Sequence, residues 1–152
     1  MQQQSLGLQN FGNSCYLNSI VQVLRYVKPV VERLLEIHSE NEAVASFINL
    51  LYQGSNPRKF VKHLGSLGFD PLYQHDAHEF LLKMLDVVYE DPACKDIKNP
   101  FEGKFESTLT CKNGHTSVSK ENFCCLSLNG GLAEGIAKLE EPETVTCKCD
   151  DC

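Results

Sequence analysis

Cys15 is the residue of this chain best placed to act as a nucleophile. It follows a run rich in Gly, Asn and Ser and precedes Leu17, Ile20, Val21 and Leu24, whose spacing predicts a helix. We therefore expect Cys15 at a helix N-terminus, where unpaired N–H groups and the helix dipole stabilise a thiolate. A thiolate is the form of cysteine that attacks a carbonyl carbon.

Asn10 lies a short distance upstream and can serve the same chemistry. Gly7 and Gly12 allow the backbone to fold tightly, so the Asn10 amide can reach the same point in space as the Cys15 backbone N–H. Two donors that converge there form an oxyanion hole. The alternative is an ordinary turn before a helix with an inert, buried cysteine, and spacing alone does not separate the two interpretations.

The wording of this stretch, GLQNFGNSCYLNS, resembles the cysteine box of the ubiquitin-specific proteases, with Ser14 where the family usually has Thr. The resemblance implies a papain-like α+β fold in which Cys15 attacks the carbonyl at the C-terminus of ubiquitin and Asn10 steadies the oxyanion. The implied reaction is thiol hydrolysis of the peptide or isopeptide bond after the last glycine of ubiquitin, through an acyl-enzyme. It needs no organic cofactor.

A second block, QHDAHEF at residues 74–80, resembles the family's Gln-Gln-Asp-Ala-x-Glu-Phe, with His75 in place of the second Gln. In the family the matching polar residues line the channel for the extended tail of ubiquitin, so the resemblance implies that Gln74, Asp76 and Glu79 contact that tail. The residues alone predict something simpler. Asp76 and Glu79 stand three apart at the start of a helical pattern, as in a capping box. The two roles are compatible.

Four residues near the C-terminus have the spacing of a zinc site. Cys149 and Cys152 form a Cys-x-x-Cys turn, and a hairpin can bring Cys111 and His115 beside them, with Cys147 as a spare ligand. The alternative is an ordinary hairpin with exposed terminal thiols. Ubiquitin-specific proteases often hold their finger-like β region with a zinc ribbon of two Cys-x-x-Cys pairs, so the resemblance implies a structural zinc ion, although the first pair lacks its second Cys here.

Composition excludes several classes of protein. The net charge of −6 and the lack of a basic block argue against a nucleic-acid partner, and no apolar run suggests a membrane span or a signal peptide. Without a secretory signal, the eight cysteines indicate metal ligands, a nucleophile and free thiols rather than disulfides. We expect an intracellular protein of the cytoplasm or nucleus. Cys94 and the adjacent Cys124 and Cys125 are expected to serve packing.

The chain changes character near Pro100. Apolar spacing predicts helices within 15–90, notably at 30–38, 42–52 and 72–90, whereas a half-buried strand at 104–111 and further strands at 115–120, 122–128 and from Val145 are predicted later, with a short amphipathic segment at 132–139. By resemblance, residues 1–100 are a helical thumb and residues 101–152 the first part of the β-rich fingers.

None of the five histidines fits the place of the catalytic base. In the family the catalytic His and its partner follow the zinc ribbon, in a C-terminal palm segment that this chain does not contain. We therefore expect a companion chain that carries this histidine. The alternative is a non-catalytic ubiquitin-binding module of the same fold, in which no histidine reaches Cys15.

Overall fold

The structure, a computed structural model, describes residues 7–54 and 56–152. Residues 1–6, with which the predicted thumb begins, and Ser55 lie outside the described part of the chain. The chain divides into two compact units with the boundary between Asn99 and Pro100. Helices dominate the first unit, and the second contains a small antiparallel sheet, so the fold class is α+β as predicted.

The described residues of the first unit form five α-helices and two short 3₁₀ turns, Gly65–Leu67 and Pro92–Cys94. The helices are α1 (Cys15–Tyr26), α2 (Lys28–Leu35), α3 (Glu42–Gln53), α4 (Arg58–Val61) and α5 (Ala77–Tyr89). Each predicted helix of this region is present, because apolar residues at i, i+3 and i+4 give each helix one face that is buried on folding. Side chains at two N-termini complete the pattern, since Asn41 caps α3 and Asp76 caps α5.

A cluster of aromatic rings forms the centre of this unit. Phe80 of α5 lies edge-on to Tyr16 of α1, Phe47 of α3 and Phe60 of α4, with ring centroids 5.3 to 6.5 Å apart. Phe80 is completely buried, and so are the apolar faces of α1 and α3 beside it. Because α1 packs against both α3 and α5, the residue that begins α1 is held by a rigid core.

The second unit contains one antiparallel hairpin and one helix. Strand β1 (Gly103–Thr110) pairs with β2 (Thr116–Phe123) in a register that runs from Gly103 opposite Phe123 to Thr110 opposite Thr116. Helix α6 (Leu132–Glu140) follows, where the amphipathic segment was predicted. The only residue of this unit that is buried is Gly135, which packs against Leu128.

Three predictions for this unit are wrong. Residues 122–128 do not form a third strand, because β2 continues through Phe123 and residues 125–129 have no pairing partner, and Val145 does not begin a strand. Strand β1 is also not half-buried, because nothing within this unit covers either face of the two-stranded sheet. Alternation of apolar and polar residues predicts a strand correctly but gives its burial only when a second layer exists.

Candidate active site and metal cluster

Cys15 is the first residue of α1, and its side chain is exposed. The chain reaches it through a sharp turn in which Gly12 has φ of +74°, a conformation that glycine adopts readily and other residues rarely do. Ser14 is the N-cap residue. The predicted position of Cys15 at a helix N-terminus is therefore confirmed.

A compact set of hydrogen bonds joins Asn10 to the residue before the cysteine. The Ser14 backbone N–H and the Ser14 hydroxyl both donate to Asn10 Oδ1, over 3.2 and 2.9 Å. The Phe11 backbone N–H in turn donates to Ser14 Oγ over 2.9 Å. The sequence predicted that Asn10 lies near the N-terminus of α1. It gave no signal that Ser14 donates hydrogen bonds to Asn10, because those bonds depend on the geometry of the turn.

The second block begins α5. Asp76 Oδ1 accepts hydrogen bonds from the backbone N–H groups of His78 and Glu79, over 2.7 and 3.1 Å, which is the Asp76 half of the predicted capping box. Among the described residues, the Glu79 carboxylate makes no return bond to the Asp76 N–H. The bond from Glu79, then that from His78, holds the pKa of the Asp76 carboxyl below its usual value, so it stays ionised. Gln74, Asp76 and Glu79 are exposed and open to a partner from solvent.

Two contacts bring the cysteine box and the second block together. Asn13 Nδ2 donates to the Leu72 carbonyl over 2.7 Å, which ties the turn before Cys15 to the loop before α5. On the other side of the turn, the buried Tyr16 ring lies 5.3 Å from both Phe80 and His75, in edge-on contact. Burial, and next to it the charge of Cys15, raises the pKa of the Tyr16 phenol, which therefore remains neutral. Two segments 60 residues apart in sequence thus share one surface.

No histidine of the described residues is hydrogen-bonded to Cys15. His75 Nε2 lies 2.8 Å from the Asp70 carbonyl, and the His115 ring lies in the second unit, among cysteine sulfurs. In the helical unit, His38 lines a surface cavity beside the C-terminal end of α5, and His63 lines another between α3 and α4. A cysteine hydrolase needs an imidazole that accepts the thiol proton, and the described residues place none of the five in that role.

The second unit gathers four potential metal ligands. One ligand atom each from Cys111, His115, Cys149 and Cys152 lies within 4.8 Å of the other three. These are the four residues that the sequence grouped, and Cys147 is not among them. The β1–β2 turn holds one pair through a bond from the Cys111 N–H to the His115 carbonyl, and a turn between Cys149 and Cys152 holds the other.

The distances within this cluster fit a tetrahedral ion. Cys111 Sγ lies 3.8 Å from Cys152 Sγ, and His115 Nδ1 lies 3.4 and 3.7 Å from the sulfurs of Cys152 and Cys149. Zinc bonds of about 2.3 Å to sulfur and 2.0 Å to nitrogen place tetrahedral ligands about 3.8 Å apart for two sulfurs and about 3.5 Å apart for sulfur and nitrogen. Asn113 Nδ2 also donates to Cys152 Sγ over 3.2 Å. This Cys/His cluster can hold a metal ion.

Comparison with known proteins assigns the family. The sequence model of a family described as ubiquitin carboxyl-terminal hydrolase matches residues 6–143 of the chain. The chain belongs to this family. The matched residues include Cys15, Asp76 and the hairpin pair of the metal cluster and end before Cys149. The predicted membership in the ubiquitin-specific proteases is thereby confirmed.

Individual ubiquitin carboxyl-terminal hydrolases are similar to large parts of the chain. Hydrolase 4 of Arabidopsis thaliana is 33% identical over 87% of this chain and 38% of its own length. Hydrolase 7 of Drosophila melanogaster is 29% identical over 92% of this chain and 14% of its own length, and hydrolase 12 of Salmo salar is 33% identical over 54% and 26%. The chain thus spans well under half the length of these curated relatives.

Cys94, Cys124 and Cys125 belong neither to the cysteine box nor to the metal cluster. Cys94 is completely buried in its 3₁₀ turn, where burial, followed by the nearby Asp91, raises the pKa of its thiol, so it serves packing as predicted. Cys124 and Cys125 follow the end of β2, and Cys125 is exposed. No helix among the described residues combines the length and the apolar character that crossing a membrane requires.

Proposed function

We propose that this chain supplies the nucleophile and part of the ubiquitin-binding surface of a deubiquitinating cysteine protease. The observation that carries the proposal is the position of Cys15, exposed at the N-terminus of α1 beside Asn10, within a match to the ubiquitin carboxyl-terminal hydrolase family. The substrate is ubiquitin joined through its C-terminal glycine to an amine of another protein.

The reaction proceeds in two stages. The Cys15 thiolate attacks the carbonyl carbon of the last glycine, and the carbonyl oxygen takes the negative charge, facing Asn10 Nδ2 and the Cys15 backbone N–H. The carbon–nitrogen bond then breaks, and the leaving amine takes a proton from an imidazolium. Water attacks the resulting thioester and releases ubiquitin and the free thiol.

Exposed polar groups of the second block are suited to the tail of ubiquitin. The resemblance to the family assigns arginines to that tail, and Asp76 and Glu79 present carboxylates beside α5, one of them kept ionised by its cap bonds. Gln74 adds an amide that can pair with an extended backbone. Because Asn13 ties this loop to the cysteine turn, a tail held here leads toward Cys15.

Zinc is the metal that the second cluster fits, because three sulfurs and one imidazole nitrogen lie at tetrahedral distances. All four positions are taken by protein atoms, which is typical of a structural site with no open coordination position. The ion would hold the β1–β2 turn and residues 149–152 together as the start of the fingers, with residues 7–99 as the thumb. It takes no part in the hydrolysis.

We further propose that the imidazole comes from a companion chain. We also propose that the protein acts in the cytoplasm or nucleus, because thiols persist in a reducing environment. The support for the companion chain is that the described residues place no histidine in a hydrogen bond with Cys15. The same observation favours the second candidate, a ubiquitin-binding module without hydrolytic activity. The two candidates differ in whether bound ubiquitin is hydrolysed at Cys15.

Hydrolysis of a fluorogenic ubiquitin amide separates them. The protein is isolated from its own cells with all bound chains, and its rate is compared with that of the 152-residue chain alone. We expect turnover in the isolated protein, its loss on Cys15→Ser, and little change on Cys125→Ser, which removes another exposed thiol. Ubiquitin binding without turnover would contradict the hydrolase and support the binding module.

A further inference from the structure

The hydroxyl of Ser14 holds Asn10 instead of capping α1. A serine at the N-cap usually accepts a hydrogen bond from a backbone N–H of the first helical turn. Helix α1 has no such side-chain cap. Ser14 Oγ instead turns back, accepts from the Phe11 N–H and donates to Asn10 Oδ1, each over 2.9 Å. The Ser14 hydroxyl therefore bonds to Phe11 and Asn10 and not to the first turn of α1.

The two bonds from Ser14 determine which end of the Asn10 amide faces it. The Ser14 backbone N–H can only donate, so the amide atom 3.2 Å away is the oxygen. The Ser14 hydroxyl already accepts from Phe11, and its own hydrogen points to that same oxygen. The Asn10 Nδ2 group is therefore directed away from Ser14, and no described residue accepts a hydrogen bond from it.

The Cys15 backbone N–H is the second donor that this arrangement leaves available. As the first residue of α1, Cys15 has no intrahelical acceptor for its N–H, whereas the N–H of Ser14 is already bonded to Asn10. A reversed amide would present its oxygen, instead of its nitrogen, to the negative oxygen of the substrate. Because Ser14 is only 3% exposed, water does not compete for its hydroxyl.

We infer that Ser14 is a positioning residue for the oxyanion site: its hydroxyl fixes the Asn10 amide so that Nδ2 is offered to the developing negative charge. The inference rests on the proposed function, since it assumes that Asn10 stabilises the oxyanion. This role also explains why the family usually has threonine at the position of Ser14, because threonine carries the same hydroxyl.

The test uses ubiquitin with a C-terminal aldehyde. The Cys15 sulfur adds to the aldehyde carbon, the carbon–oxygen double bond becomes single, and the oxygen takes the position of the oxyanion, so affinity reports the donors around it. Alkylation by iodoacetamide displaces iodide at a saturated carbon and forms no oxyanion. Comparing the aldehyde affinity with the iodoacetamide rate therefore separates changes at the oxyanion site from changes in the reactivity of the thiol.

Ser14→Val and Ser14→Thr are a matched pair, because their side chains have nearly the same shape and only Thr keeps the hydroxyl. In the protein isolated with its bound chains, we expect Val to weaken aldehyde binding by about tenfold or more and to lower kcat with KM unchanged, while Thr retains wild-type values. The iodoacetamide rate should stay the same in both. The loss is smaller than for Asn10→Ala because the Ser14 N–H still holds Asn10.

Three outcomes distinguish the role of Asn10 from the role of Ser14. If Asn10→Ala leaves aldehyde affinity unchanged, the proposed role of Asn10 fails, and the inference fails with it. If Asn10→Ala weakens binding but Ser14→Val and Ser14→Thr behave alike, only the role of Ser14 is overturned. Should the Val variant unfold at a lower temperature than the Thr variant, Ser14→Ala replaces it, and wild-type affinity in that folded variant overturns the inference.

Discussion

The buried apolar side chains of the described residues all lie between Tyr16 and Cys94, whereas large apolar residues after Pro100 are exposed or half-buried. The first unit is thus stabilised by its core, and the residues that resemble the cysteine box project from the end of a helix that this core holds. The second unit has a hairpin with two open faces and a cluster of three cysteines and a histidine.

This difference indicates how each unit supports its site. The chemistry proposed for Cys15 needs atoms fixed to a fraction of an ångström, and a close-packed interior provides that rigidity. An isolated two-stranded hairpin is marginally stable in water. Metal binding supplies the missing stability in domains that lack a sufficient core. We therefore expect the two units to respond to different perturbations.

Removal of metal should have the largest effect, and only on the second unit. With a strong zinc chelator, or with Cys149→Ser, we expect amide hydrogen exchange to become rapid across β1 and β2 and to remain slow in α1, α3 and α5. Cys147→Ser is the matched control, because this thiol lies outside the cluster and should leave exchange unchanged. Equal protection of the hairpin with and without zinc would contradict the expectation that metal binding stabilises the second unit.

Truncation of the central aromatic ring should destabilise the first unit and leave the second unit unchanged. Phe80 is completely buried, and Phe80→Ala should lower the free energy of unfolding of the first unit by about 3–5 kcal/mol, measured in urea. Phe105→Ala removes a ring that is 37% exposed and should leave that transition in place. If Phe105→Ala lowered the free energy of unfolding as much as Phe80→Ala does, the first unit would not be distinguished by its buried core.

The helical unit was largely predictable, because each helix carries its own apolar spacing and Asp76 marked the start of α5. The four metal ligands could also be grouped from sequence, since both pairs depend on short turns. The supposed strands at 122–128 and Val145 were not predictable from local patterns, because pairing requires a neighbour. The bond between Ser14 and Asn10 likewise depends on the turn at Gly12, which leaves no periodic signal.

A single backbone position tests the hairpin more finely. Gly114 has φ of +85° in the turn between Cys111 and His115, and alanine there is strained by about 1–2 kcal/mol. We expect Gly114→Ala to lower zinc affinity by about tenfold in a competition titration and to leave the first unit unaffected. Gly131→Ala is the control, because its φ of −72° suits alanine. Unchanged zinc affinity in Gly114→Ala would show that the turn does not preorganise the ligands.

The smallest expected effect concerns the acid that caps α5. Because hydrogen bonds lower the pKa of Asp76 in the folded state, its ionised form stabilises the fold above the unfolded value of 3.8, and this contribution is lost as the pH falls through the lower folded value. Asp76→Asn keeps a cap acceptor without titrating. The difference in melting temperature between wild type and Asp76→Asn should therefore change below about pH 4, and a constant difference would contradict the assignment.

The role of Cys15 as the nucleophile is tested most directly by treating the protein and all its bound chains with ubiquitin that bears a C-terminal thiol-reactive group. The product is then mapped by mass spectrometry of its peptides. We expect one ubiquitin per chain, attached at Cys15 and absent from Cys15→Ser. Ubiquitin attached at another cysteine, or bound without any covalent product, would contradict Cys15 as the nucleophile.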